Sequence, residues 1–198
     1  MSRLLSRLFF IVALMLSLPL AAVAQPALTV KPLAEKKVDA LPDGTLVWRI
    51  ENLPTLAAAQ AAAGPFSIAA EAAGKAWLFT LGPAGGSTPG ADRVAETGPI
   101  ARVEASRYLL RINDASGPPG SVTPVHSHPG SEAFYVLAGE QSVRGAHGTL
   151  RVKAGETEPG HGADMAMQVS SSGQGELHAL VMFVVDADKP FSSPAVLP

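Results

Sequence analysis

The chain has 198 residues, 47% of them hydrophobic and 16% charged, with a formal charge of −2 at neutral pH. No block of Lys and Arg occurs, so the electrostatic footprint of a nucleic-acid binder is missing and nucleic acid is not an expected partner. There is no cysteine, which excludes disulfides, a cysteine-linked lipid anchor and a thiol nucleophile, and leaves the apolar core to hold the fold.

Residues 1–24 open with Arg3 and Arg7, continue through an apolar run over 8–18 and close on Ala22, Val23 and Ala24. That is the layout of a cleaved secretory signal. The apolar run is short for a membrane span, and Pro19 interrupts it. The expected location is therefore periplasmic or secreted, with no membrane association after cleavage. Loss of the segment and its two arginines leaves 174 residues and moves the formal charge from −2 to −4. This length suits one domain that buries roughly 70% of its unfolded surface. Neither Asn52 nor Asn113 sits in an N-x-[ST] context, so no glycan acceptor is present.

The chain's 19 glycines and 17 prolines fall mostly between short apolar runs, the punctuation of an all-β chain. Strands are expected over 45–51, 66–71, 76–81, 108–113, 123–128, 133–137, 141–144, 149–153, 165–170 and 177–185. One helix is expected over 55–64, where Pro54 and Thr55 mark a start, alanines supply propensity and Gly64 marks a stop. The stretch 82–99 is poor in large apolar residues and reads as a long surface loop. The last strand is apolar at both parities, which predicts burial on both faces.

The chemistry concentrates in PVHSHPGSEAFYVLAGE, residues 124–140. On a strand, residues i and i+2 share a face, so His126 and His128 point the same way. Pro129 and Gly130 then break the strand. If the chain folds back near Glu132, that carboxylate meets both imidazoles, with Phe134 and Val136 on its face. Two imidazoles and one carboxylate on a rigid β scaffold suit a divalent first-row metal with coordination sites left open. Gly120 permits a sharp entry, and Gly139 supplies the positive φ of a tight hairpin.

The pattern Gly120-x5-His126-x-His128-x3-Glu132-x6-Gly139 resembles the first conserved motif of the cupin superfamily, and the resemblance covers roughly residues 108–186. It implies a cupin jelly-roll β-barrel with extra N-terminal strands and one short helix. The implied organisation is a signal peptide over 1–24, N-terminal strands and helix over 25–100, the barrel over 101–190 and a C-terminal tail over 191–198. It also implies His126, His128 and Glu132 as metal ligands, the ion being Fe, Mn, Zn or Ni. The second cupin motif is altered. Pro159, Gly160, His161 and Gly162 are compressed toward its start, and Ala166 or Met167 stands where a third histidine is expected. Either His161 reaches the ion from a displaced position, or Met167 faces it and water completes the shell.

His147 reads as a polar hairpin tip and His178 as a satisfied core or pocket residue. Phe134, Val136, Met165, Met167 and Phe183 are candidates for the pocket wall, as they are for plain core. Arg49 and Arg111 are cations that could anchor an anionic substrate, although arginine at a strand edge is more often solvated. No GxSxG elbow or phosphate-cradling GxxxxGK[ST] occurs. The expected function is a metal-bearing cupin acting on a small organic molecule by dioxygenase-like or isomerase-like chemistry, an oxidoreductase or isomerase. The alternative is a non-catalytic barrel that binds a small ligand, and pairing into a homodimer is compatible with either.

Overall fold

The structure is a computed structural model that describes residues 25–198, so the signal-peptide reading of residues 1–24 lies outside the described residues. In chain order the elements are β1 (Thr29–Val38), β2 (Leu46–Leu53), α1 (Leu56–Ala62), β3 (Ser67–Ala72), β4 (Lys75–Gly82), β5 (Asp92–Ile100), β6 (Tyr108–Gly117) and β7 (His126–Ser127). They continue with β8 (Gly130–Ala138), β9 (Glu140–Gly145), β10 (Gly148–Lys153), β11 (Thr157–Glu158), β12 (Met167–Ser171), β13 (Leu177–Asp186) and β14 (Ser193–Pro194).

Three sheets result, ordered β1-β6-β13-β8-β11, β10-β9-β12-β7-β14 and β3-β4-β2-β5. The first two enclose the jelly-roll interior, and the third covers the outer face of the first. β13 shows why. Its residues Leu177, Ala179, Val181, Phe183 and Val185 pack with Phe134, Val136, Val143 and Met167 inside the barrel. The alternate residues Leu180, Met182 and Val184 pack with Trp48, Ile50, Trp77 and Phe79 under the third sheet. A strand apolar at both parities needs a layer on each side, and here it has one. Its ladder partners are β6 and β8, both antiparallel.

The helix forms as its sequence predicts. Thr55, extended at the N-cap, accepts a hydrogen bond on Oγ1 from the Ala58 amide at 3.1 Å. Ala59 is fully buried with Leu53 and Leu78, so α1 seals the outer face of the third sheet.

Four strands were not expected: the two-residue β11 and β14, and the longer β1 and β5. The stretch read as a loop over 82–99 contains most of β5, which pairs with β2. β5 lies at a sheet edge and is largely half-exposed, so it carries no apolar alternation to announce it. β1, TVKPLAEKKV, is the edge of the first sheet and pairs with β6, with a register shift between Pro32 and Ala34. Its lysines and its proline are ordinary edge-strand residues. Conversely, the strand expected over 123–128 is a ladder only at His126 and Ser127.

Turn glycines behave as the sequence requires. Gly120 and Gly139 have φ of 80° and 74°. A Cβ at Gly139 would meet the Glu176 carbonyl oxygen at 2.6 Å, so this turn is closed to any other residue by contact as well as by φ.

The third sheet contains a buried carboxylate, Glu51, at 1% exposure. It accepts from Arg49 Nε at 2.9 Å, from the Thr88 hydroxyl at 2.7 Å and from the Thr88 amide at 3.1 Å, which ties the loop before β5 to β2. Burial alone would push its carboxyl up, but these hydrogen bonds and the Arg49 charge together outweigh it and hold the net value below the usual 4.5. A depressed carboxyl contributes stability that is complete above its unfolded pKa and is lost as pH falls through the folded value. Glu51→Gln should therefore cost roughly 1–3 kcal/mol in urea unfolding near neutral pH, and the gap from the parent should narrow below pH 4.5. A gap independent of pH would show that the carboxylate's charge contributes nothing.

Candidate metal and ligand site

The pleat of β8 decides what enters the barrel. Phe134 and Val136 point inside and Ala133 packs under the third sheet, so Glu132, in step with Phe134, also points inside. β7 is held between β12 and β14, with His126 opposite Met167 and Pro194. His126, His128 and Glu132 line one cavity of about 380 Å³, with Phe134, Val181 and Phe183 as apolar wall and Arg111 and Asn113 entering from β6.

Backbone carbonyls fix both imidazoles. His126 Nδ1 lies 2.9 Å from the Pro124 carbonyl oxygen, and His128 Nδ1 lies 2.6 Å from that of Phe191. A carbonyl only accepts, so each Nδ1 carries the hydrogen and each Nε2 keeps its lone pair. The two rings are 5.0 Å apart at 85°. His128 Nε2 stands 3.9 Å from Glu132 Oε2.

Burial dominates the electrostatics. The Glu132 carboxyl, 2% exposed, is pushed up to about 8 by desolvation, and its Oε1 has no hydrogen-bond partner among the described residues. The His128 imidazole is lowered to about 4, by burial first and by the charges of His126 and Arg111, against a smaller opposing effect of its bond to Phe191. At neutral pH and with no cation bound, His128 is thus neutral and Glu132 keeps its proton.

The donor types fit a divalent ion: two imidazoles in the ligating tautomer and a buried carboxyl with an orphaned oxygen. The 3.9 Å between His128 and Glu132 lies just inside the roughly 4 Å that two such ligands can span across one ion. As they stand, no three His, Cys, Asp or Glu side chains among the described residues converge on a bonding point.

His161 is not part of the cavity wall. Its carbonyl oxygen accepts from the Glu132 amide at 3.3 Å, but its ring lies against the β9–β10 hairpin, with Nε2 3.0 Å from where a Cβ on Gly145 would be. Its Nδ1 is buried without a partner among the described residues, and burial holds the imidazole below its usual value. Met167 is packed in the interior cluster, opposite His126 on β12. Of the other candidate wall residues, Phe134 and Phe183 line the cavity, Val136 is core, and Met165 is half-buried in the loop before β12. His147 is exposed, and His178 is satisfied by Asp114 Oδ2 at 2.8 Å. Arg49 is committed to Glu51 in the third sheet, whereas Arg111 faces the cavity.

Sequence reasoning passed over Asn113 and Phe191. Asn113 alternates with Leu110 and Ile112 just as Arg111 does, but that pattern does not distinguish a cavity from solvent. Phe191 belongs to the tail, whose ring packs 4.7 Å from His128 and 4.9 Å from Phe183. A lone aromatic in a short tail was its only signal.

Residues 116–157 match the Cupin domain family. Among solved structures, a cupin superfamily protein of Desulfitobacterium hafniense is 16% identical over 39% of this chain and 68% of its own, with a TM-score of 0.35. A cupin-like protein of Thermotoga maritima is 18% identical over 43% of this chain and 64% of its own, with a TM-score of 0.37. A DMSP lyase of Ruegeria pomeroyi is 23% identical over 43% of each chain, with a TM-score of 0.38. No curated protein matches the sequence. The segment so matched carries both cavity histidines, Glu132 and the turn at Gly139.

Proposed function

We propose that this is an exported, periplasmic cupin that holds a divalent transition metal through His126, His128 and Glu132 and acts on a small organic molecule in the same cavity. The observation that carries the reading is Glu132: a fully desolvated carboxyl with an orphaned oxygen, facing the lone pair of an imidazole whose tautomer is locked. Bound Fe, Mn, Zn or Ni would supply a Lewis-acid or redox centre for dioxygenase-like or isomerase-like chemistry. The chain's own part is to present donors and shape the cavity. Phe191 and Pro124 hold Nδ1 of each histidine so that Nε2 keeps its lone pair for an ion, and Phe134, Val181 and Phe183 supply the apolar wall.

A second reading, a non-catalytic barrel for a small ligand, is favoured by Met167, packed in the interior cluster where a third histidine is expected, and by the apolar lining of the cavity.

Titration of chelator-treated protein with each of the four metals, followed by calorimetry, discriminates the readings. About one equivalent should bind, and His128→Ala or Glu132→Gln should weaken binding at least a hundredfold. His161→Ala should change affinity by less than about twofold, because its ring lies outside the cavity. Folded protein that takes up no ion yet binds small molecules would establish the second reading.

The pH dependence of metal-free protein gives a separate check. Folding raises the Glu132 carboxyl from 4.5 to about 8, so the native state binds the extra proton between those values. It incurs no penalty below pH 4.5 and loses stability progressively as pH rises toward about 8. Glu132→Gln should therefore raise Tm of the chelated protein by several degrees near pH 8 and hardly at all near pH 4.5. Equal Tm values at both pH values would mean that the carboxyl is solvated.

A further inference from the structure

We propose that the cavity selects molecules with an apolar body and a single carboxylate, and that Arg111 together with Asn113 receives the carboxylate. This rests on the cavity being a ligand site but not on the metal.

Arg111 and Asn113 are two residues apart on β6 and share the face that Leu109 and Ala115 give to the barrel interior. Among the residues lining the cavity, Arg111 carries the one permanent positive charge. An arginine on such a face needs support, and it has three kinds. Its Nε donates to Asn113 Oδ1 at 2.8 Å, its Nη1 meets Glu35 Oε1 at 2.9 Å, and its Cζ stacks 4.0 Å over the Phe191 ring. The guanidinium plane is thereby fixed before any ligand arrives.

What the supports leave over defines the ligand. Among the described residues no hydrogen bond or ion pair engages Nη2 of Arg111, and none engages Nδ2 of Asn113, a residue only 2% exposed. Two neighbouring N–H donors beside a fixed positive plane match the paired oxygens of a carboxylate. One cation neutralises one negative charge, so a phosphate dianion in this apolar enclosure would remain uncompensated. The rest of the wall, Phe134, Val181 and Phe183, offers dispersion contact to an apolar body. Glu35, 45% exposed on β1, is a weak and displaceable competitor for the same guanidinium.

Benzoate, benzamide and inorganic phosphate are suitable probes, tested by calorimetry on chelator-treated protein so that no metal can bind the carboxylate. Benzoate should bind about tenfold more tightly than benzamide, with phosphate weaker than either. Arg111→Gln should abolish the preference. Should that variant unfold, Glu35→Gln, on the exposed edge strand, should strengthen benzoate binding about two- to threefold by releasing the guanidinium. Equal affinity for benzoate and benzamide, a preference that survives Arg111→Gln, no gain in Glu35→Gln, or phosphate binding as tight as benzoate would each overturn the proposal. Metal uptake without benzoate selectivity overturns this proposal and leaves the metal reading standing. Benzoate selectivity without metal uptake does the reverse.

Discussion

The sheet β1-β6-β13-β8 has a packed layer on each face over most of its area, and the rest of the molecule follows from that constraint. A doubly covered strand cannot slip by one residue, because the slip would exchange the contents of two cores. Val181 and Phe183 of β13 must face the cavity while Leu180, Met182 and Val184 face Trp48 and Phe79. The neighbouring strands inherit this register through their ladders, Phe183 opposite both Glu132 and Arg111. The positions of a carboxyl and a guanidinium inside the barrel are thus set by the packing of apolar residues that take no part in chemistry. The third sheet, which looks like an accessory, is what makes the central strand's second face apolar and its register unique.

Two buried glutamates show how the same side chain serves opposite ends. Glu51 is 1% exposed and Glu132 is 2% exposed, so desolvation opposes the charge of both. Glu51 has Thr88 and Arg49 as donors and is held below its usual value, anchoring a loop. Glu132 has, among the described residues, His128 as its one ion-pair neighbour, at 3.9 Å, and is pushed up to about 8. Its free energy cost is one a fold would shed by adding a donor, as it did at Glu51, unless something from outside completes the arrangement. The cavity also holds Arg111, a permanent charge, and the structure does not pair it with Glu132. Glu35 takes it instead. A direct Arg111–Glu132 bridge would satisfy both groups and close the cavity to any ligand. Keeping them apart leaves one donor wall and one acceptor wall.

The barrel was legible because its signals are local: the spacing of His126, His128 and Glu132, the positive-φ glycines at 120 and 139, and the two-faced apolar run of β13. The helix was legible through its cap at Thr55. Edge strands β1 and β5 were not, since a strand with one free side and little buried area is under weak pressure to alternate. The placement of His161 was illegible for another reason. Gly160 and Gly162 flank it, and Gly160 has φ of 68°, a turn so tight that a Cβ there would collide with the Glu132 carbonyl oxygen. That close approach brings the His161 backbone onto β8 while sending its ring toward the β9–β10 hairpin. Sequence proximity to the site thus reflects backbone packing and not side-chain convergence.

Phe191 is the residue on which the cavity's separate parts meet, and it comes from the last eight residues of the chain. Its carbonyl oxygen fixes the His128 tautomer, its ring packs on His128 and Phe183, and the same ring carries the Arg111 guanidinium. The segment is held in place by a short ladder, Ser193 and Pro194 of β14 against β7. A tail with so little ladder of its own gains its order from the cavity, and the cavity gains a locked imidazole and an oriented cation from the tail. These gains are coupled: displacing Phe191 would release the His128 Nδ1 hydrogen bond and the Arg111 stack at once, so the site's acceptor wall and donor wall share a single support.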